Sequence, residues 1–227
     1  MAKLVYCDLH RIGYDEATQI QLRLVEQMVD HRSDPSADRS VLLFCEHDPV
    51  ITLGRSADEK NVLADAARLQ ASGIQLVKTT RGGDVTYHGP GQLVGYPIMR
   101  LDIRGRNVHG FIRNIEEVII QVLAEFGIIA DRKAGLTGVW VGNEKVAAIG
   151  IAVKRWISYH GFSLNVCGEL PGFNMIVPCG ITGKGVTSIS RLLSREVPIE
   201  EVKPLVLQKF AKVMGFEIIE AIPPEKL

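Results

Sequence analysis

The chain has 227 residues, of which 46% are hydrophobic and 23% are charged, so it can bury a sizeable core. This length and composition predict one domain over residues 1–227. Basic and acidic residues both number 26, and the resulting net charge of zero supplies no general attraction for nucleic acid or for a membrane surface. We therefore expect neither as a partner. Four cysteines without a CxxC pair indicate reduced thiols, and no apolar run approaches the ~18 residues that span a bilayer. These features predict a soluble protein of the cytoplasm.

The first half of the chain alternates predicted strands with predicted helices. The clearer helix covers residues 14–31, where apolar residues recur at helical spacing and Asp15 is the expected N-cap. The other predicted elements are a strand at 4–9, a strand at 40–46, a helix at 60–72 and a strand at 74–79.

The second half contains the strongest helical pattern and a run of strands. Residues 107–126 place apolar side chains on one broad face and end at Gly127, which predicts a helix packed on a sheet. Strands are predicted at 139–141, 145–153 and 156–166 with short turns between them, which is typical of an antiparallel meander. A last helix is predicted at 199–214. Together the elements predict an α+β fold with a mostly antiparallel sheet packed by helices.

Cys179 lies between Pro178 and Gly180, after an apolar segment. Proline ends strand pairing and glycine leaves the neighbouring backbone open, so this turn presents a thiol instead of burying it. Cys179 is therefore the candidate nucleophile, and an inert turn cysteine is the alternative. Three cysteines lie in strand-like segments, where a small core residue is the expected role: Cys7, Cys45 and Cys167.

Residues 81–92 contain four glycines, which let backbone amides approach a ligand closely. Gly89, Gly91 and Gly95 do not have the spacing of a dinucleotide-binding motif. Arg81 could attract an acidic group and His88 could shape a pocket. A structural arginine and a core histidine are equally compatible with the sequence.

Lys145 stands at the start of an almost wholly apolar strand, on the same face as Ala147 and Ile149. A buried lysine there could act as a base, whereas a lysine at a strand end usually extends its ammonium group into water. The residues alone favour the second interpretation. The six histidines show neither paired spacing nor a cysteine partner, so we expect no metal and no cofactor.

Three motifs occur in an order that resembles the lipoyl(octanoyl) transferase (LipB) family, which is related in fold to lipoate and biotin protein ligases. They lie at residues 81–92, 142–150 and 178–181, and the resemblance covers roughly residues 43–192. It implies that Cys179 carries an acyl group and that Lys145 activates this cysteine. It also implies a substrate pocket made of Arg81, Gly82, Gly83, Asp84, Val85, Thr86, Tyr87, His88, Ala148, Ile149, Gly150, Gly161, Phe162 and Ser163.

The resemblance implies transfer of an octanoyl group from octanoyl-acyl carrier protein, through a Cys179 thioester, to a lysine of a lipoyl domain. The implied acceptors are lipoyl domains of 2-oxoacid dehydrogenases and glycine cleavage proteins, and we expect a monomeric enzyme. A thioester is already activated, so no ATP is expected. Three alternatives remain open: an ATP-dependent lipoate ligase, an acyl thioesterase and a non-catalytic effector-binding module of the same fold.

Overall fold

The computed structural model describes residues 2–32, 39–178 and 184–227. The helices in these ranges are α1 (Tyr14–Asp30), α2 (Ala66–Ala71), α3 (Val108–Glu125), α4 (Ile189–Leu193) and α5 (Ile199–Met214). The strands are β1 (Lys3–Ile12), β2 (Ser40–His47), β3 (Val50–Leu53), β4 (Gln75–Lys78), β5 (Val85–His88), β6 (Gln92–Ile98), β7 (Asp131–Lys133), β8 (Leu136–Val141), β9 (Glu144–Lys154), β10 (Ile157–Asn165), β11 (Gly185–Val186) and β12 (Ile218–Ala221).

A main sheet of nine strands, counted over the described ranges, has the order β12-β1-β2-β6-β10-β9-β8-β7, with β11 paired to β9. From β2 to β7 every neighbouring pair is antiparallel, whereas β1 pairs in parallel with β2 and with β12. A smaller sheet has the order β4-β3-β5. The predicted α+β class, with a mostly antiparallel sheet packed by helices, is confirmed.

Both faces of the main sheet are covered, which explains the uninterrupted apolar sequence of β2. Leu42 and Phe44 belong to the core cluster that also contains the apolar faces of α3 and α5. Leu43 and Cys45 point to the opposite face and join the cluster under α1. A strand buried on both sides loses the alternation of apolar and polar residues that a half-exposed strand shows.

The helix predicted at 107–126 is confirmed as α3. The side chain of Asn107 caps its first turn by accepting a hydrogen bond from the backbone N–H of Gly110. Gly127, at φ +71°, follows its last turn in the left-handed conformation that glycine adopts without strain. The predicted meander is also confirmed, as β8, β9 and β10.

Two details of the predicted helices are wrong. The N-cap of α1 is Gly13, in an extended conformation, and Asp15 lies in the first turn. A carboxylate there is favoured by the positive end of the helix dipole, so Asp15 stabilises α1 without capping it.

The helix predicted at 60–72 is wrong over its first half. A short 3-10 helix covers Glu59–Asn61, and α2 begins only at Ala66. Between them the backbone N–H of Leu63 donates to the carbonyl oxygen of Met175, so a contact with a distant segment replaces helical hydrogen bonds. The side chain of Asp65 then starts α2 by accepting from the backbone N–H of Arg68.

Among the helices that the structure describes, none has the length and apolar character needed to cross a membrane.

Candidate active site

A cavity of about 400 Å³ lies among β5, β6, β9, β10 and the Gly-rich segment that precedes β5. Of the predicted pocket residues, one does not line it: Tyr87 is buried against Phe173, with ring centroids 5.5 Å apart. The predicted pocket residues that line the cavity are Arg81, Gly82, Gly83, Asp84, Val85, Thr86, His88, Ala148, Ile149, Gly150, Gly161, Phe162 and Ser163.

Glycines bring these segments together because side chains would keep them apart. Gly150 and Gly161 are paired across β9 and β10. A Cβ atom on Gly150 would lie 2.8 Å from the carbonyl oxygen of Gly82, and one on Gly161 would overlap that of Gly95. The Gly-rich segment thus rests directly on the sheet, where the N–H of Gly82 donates to the carbonyl oxygen of Ile151 at 3.0 Å.

Arg81 is buried and connects the Gly-rich segment to the smaller sheet. Its Nε donates to Thr52 Oγ1 at 3.0 Å, and its Nη2 donates to the carbonyl oxygens of Thr52 at 2.6 Å and Asp84 at 2.7 Å. The structural interpretation of this arginine therefore holds. Arg81 also lines the cavity, so it contributes a positive charge to the wall.

Two histidines at one end of the cavity have pKa values that burial lowers. Burial, followed by the charge of His47, holds the pKa of His88 well below its ordinary value. Burial, followed by the charge of Arg81, lowers the pKa of His160 to about 4. The His160 ring hydrogen-bonds through Nε2 to Thr80 Oγ1 at 3.1 Å. Neither imidazole ring therefore adds a charge to this part of the cavity at neutral pH.

Sequence reasoning missed three polar residues of this end, namely Tyr14 of α1, Tyr96 of β6 and His160 of β10. Tyr14 stacks on His88 with ring centroids 6.1 Å apart, and the Tyr96 hydroxyl lies 2.6 Å from His47 Nε2. Each belongs to a different element, and none of them is part of a motif. Single residues of this type carry no spacing signal that could reveal their convergence.

Lys145 is buried, with 7% of its surface exposed, and it lines the same cavity. It is the cross-strand partner of Trp140, and its Nζ lies 4.8 Å from the centre of the indole ring. Gly138, at φ +123°, borders the lysine stem: a Cβ there would be in van der Waals contact with Lys145 Cε, at 3.4 Å, but would lie only 2.6 Å from the carbonyl oxygen of Ala147. The interpretation of Lys145 as a solvent-exposed strand-end lysine is therefore wrong.

Two more ammonium groups approach the indole ring of Trp140. The Nζ atoms of Lys133 and Lys184 lie 5.2 Å and 5.6 Å from its centre. Desolvation and the neighbouring ammonium of Lys184 lower the pKa of Lys133. The surroundings of Lys145 are therefore electropositive, which favours any anion that forms there.

Cys179 lies outside the described residues, but the chain on both sides of it borders Lys145. Pro178 shares a small cavity with Thr86, Ala148 and Lys145. On the other side, Val186 of β11 pairs with Lys145 of β9. The segment that carries Cys179 therefore leaves and re-enters the described structure beside this lysine.

The other cysteines lie in environments that keep a thiol protonated. Cys7 and Cys45 are fully buried, and Cys167 is half-buried. Burial raises the pKa of Cys7 to about 11, and burial also raises the pKa values of Cys45 and Cys167. These thiols are poor nucleophiles at neutral pH.

The fold of the chain is that of the lipoate ligase class of proteins. A crystal structure of lipoate-protein ligase A bound with ATP superimposes with a TM-score of 0.72 and covers 99% of this chain and 90% of that one. Its sequence identity of 16% shows a shared fold alone.

The family model described as the lipoyl protein ligase A/B catalytic domain matches residues 15–211, and the chain belongs to this family. It is 46% identical over 216 residues to an octanoyltransferase of Alkaliphilus metalliredigens, covering 95% of this chain and 97% of that protein. It is 47% identical to an octanoyltransferase of Gloeobacter violaceus, covering 91% of this chain and 88% of that protein.

Proposed function

We propose that the chain is an octanoyltransferase that moves an octanoyl group from octanoyl-acyl carrier protein to a lysine of a lipoyl domain, through a thioester on Cys179. The observation that carries the proposal is the position of Lys145, buried where the cavity meets the segment that carries Cys179. The relatives are named octanoyltransferases, which supports octanoyl as the group that is transferred. The proposal includes a monomeric enzyme acting in the cytoplasm.

In the first half-reaction Lys145 acts as the base that takes the proton of the Cys179 thiol. The thiolate attacks the thioester carbonyl carbon of the donor, and a tetrahedral intermediate forms. The carbon–sulfur bond to the carrier arm breaks, the acyl group stays on Cys179, and Lys145 returns its proton to the leaving thiolate. The cavity of about 400 Å³ receives the hydrocarbon chain.

In the second half-reaction the neutral amine of the acceptor lysine attacks the acyl-enzyme. A new amide bond forms, the bond to Cys179 breaks, and Lys145 takes the proton that the amine loses. The positive surroundings of Trp140 stabilise the departing thiolate of Cys179. No step consumes ATP, because the donor thioester supplies the driving force.

Intact-mass measurement after mixing the protein with octanoyl-carrier protein tests the proposal directly. We expect one octanoyl adduct on the parent protein and none on Cys179→Ala. Adding a lipoyl domain should discharge the adduct and acylate the domain, in EDTA and without ATP. Cys7→Ser, at a buried thiol, is the control for unspecific acylation.

Two results would contradict the proposal. An adduct that discharges to free octanoate equally fast with and without the lipoyl domain would identify a thioesterase. Strict dependence of domain acylation on ATP would identify a ligase.

A further inference from the structure

Glu116 is a buried carboxylate outside the cavity, on α3, with 1% of its side chain exposed. Its Oε1 accepts a hydrogen bond from the backbone N–H of Gly138 at 3.0 Å. Its Oε2 accepts from Arg113 Nη1 at 2.7 Å and from Arg132 Nε at 3.1 Å. A carboxylate buried this deeply is costly unless charged donors compensate it, and here two guanidinium groups do so.

These bonds fasten α3 to both strands of the β7–β8 hairpin. Arg132 belongs to β7, and Gly138 belongs to β8. Arg132 also donates from Nη2 to the carbonyl oxygen of Arg113 at 3.1 Å, which returns to α3. One carboxylate thus sets the distance between the helix and the hairpin at two points.

The same hairpin forms a wall of the candidate active site. Residues Gly135, Leu136 and Thr137 line the cavity. Gly138 faces the stem of Lys145, and Trp140 lies under its ammonium group. The strand residue bonded to Glu116 is therefore the one that borders the lysine stem.

We infer that Glu116 is a positioning residue of the acyl-transfer site, which acts by holding Gly138 and Trp140 around the side chain of Lys145. The inference rests on the proposed function for the role of Lys145. Glu116 does not touch the cavity, so its contribution is transmitted through the hairpin. A shift of about 1 Å in a reacting group can cost about a hundredfold in rate, which makes a remote anchor consequential.

The test compares Glu116→Gln with Glu117→Gln. Glutamine at 116 keeps an acceptor for Gly138 but loses the charge that holds two arginines, and its amide group opposes their N–H donors. Glu117 is the matched control: it is the next residue of α3 and bonds Arg132 Nη2 at 2.7 Å, but it is 39% exposed and does not contact Gly138.

Two rates are measured in each variant: single-turnover octanoylation of Cys179, and iodoacetamide labelling of Cys179 as a function of pH. We expect Glu116→Gln to slow octanoylation by about tenfold to a hundredfold and to move the labelling profile to higher pH. Glu117→Gln should match the parent in both. A folded Glu116→Gln protein with the parent's rate and labelling profile would overturn the inference.

If Glu116→Gln does not fold, Glu116→Asp takes its place, because aspartate keeps the charge but is too short to reach Gly138 and both arginines. The same two shifts are then expected, and a parent-like profile again overturns the inference. Labelling requires no acyl donor. Failure of the parent to accept octanoate would therefore refute the proposed function while leaving the comparison of labelling profiles readable.

Discussion

The burial of Lys145 depends on residues that its own sequence segment does not contain. Trp140 lies across the strand pair, and Gly138 of β8 borders the lysine stem. A period-2 pattern shows that Lys145 shares a face with apolar residues, but it cannot show whether that face is covered at the strand end. The interpretation from sequence and the structure therefore differ at this residue.

Lys145→Met tests the role of this residue in activating Cys179. Methionine is apolar, flexible and of similar length, so the fold should persist. Labelling of Cys179 by iodoacetamide at pH 7 should slow, because the pKa of the thiol should rise toward the value of about 8.5 of a free cysteine. Octanoyl transfer should fail in this variant, and also in Lys145→Arg, since a guanidinium group does not give up its proton.

Lys154→Met is the control for this experiment, because Lys154 is an exposed lysine at the other end of β9, paired with Glu26. It should label and transfer like the parent. Intact mass confirms that only one thiol reacts. Labelling of Lys145→Met at the parent's rate at every pH, with transfer retained, would show that another group is the base.

The elements that sequence predicted well are those whose pattern is decided locally. The stripe of α3 and the meander of β8 to β10 each contain their own periodicity and turn residues. The helix predicted at 60–72 failed because Leu63 bonds to Met175, over a hundred positions away. β6 was not predicted because it contains Gly95 and Pro97, which are unfavourable in strands. Its hydrogen bonds to β2 and β10, on either side, hold it in the sheet.

The residues of the cavity also divide into those that a local sequence pattern predicts and those that only distant contacts bring together. Its glycine motifs could be located because each lies in one short segment, and the structure places them together. Tyr14, Tyr96 and His160 come from three separate elements, and only the folded sheet brings them to one end of the cavity. The positioning of the β7–β8 hairpin by a helix residue likewise has no signal in either segment alone.

Gly138→Ala tests whether β8 tolerates a side chain at position 138. At φ +123° a non-glycine residue is strained by about 1–3 kcal/mol. The new Cβ would also lie 2.6 Å from the carbonyl oxygen of Ala147, which would push β8 away from β9. We expect a loss of at least about 2 kcal/mol in the free energy of unfolding, measured with urea, and a severe loss of octanoylation.

Gly135→Ala is the matched control in the same hairpin. Its φ is +74°, but among the described residues no atom beyond its two chain neighbours lies within 4 Å of the position of an added Cβ. It should lose only the strain of a left-handed conformation, about 1 kcal/mol, and keep most activity. Equal effects of the two substitutions would mean that backbone strain, and not the close approach of β8 to β9, explains the result.

At the scale of the whole molecule, the buried histidines make stability depend on pH. His160 has a pKa of about 4 in the folded chain and about 6.5 when unfolded. Between these values the unfolded chain binds more protons, so the free energy of unfolding falls as pH falls from 6.5 toward 4. Burial lowers the pKa values of His47 and His88 as well, so they act in the same direction.

The contribution of His160 can be isolated with His160→Asn, since asparagine tolerates the left-handed backbone at φ +55°. Between pH 7.5 and pH 5.0 the parent should lose about 2 kcal/mol more than this variant in urea unfolding. His109→Asn, at an exposed histidine, should follow the parent. An identical pH dependence in His160→Asn and the parent would show that His160 is not a buried neutral histidine.

The parallel pairing of β1 with β12 has a consequence for how the protein is made. Val5 lies opposite Glu220, so β1 waits for the synthesis of more than two hundred further residues before this outer neighbour exists. At ~5–20 residues per second this wait lasts about 10–40 s on the ribosome. During that time β1 can pair with β2, but its other edge carries unpaired backbone groups, which are a template for association with another chain. The edge of the sheet farthest from Lys145 is therefore the edge most open to association while the chain is being made.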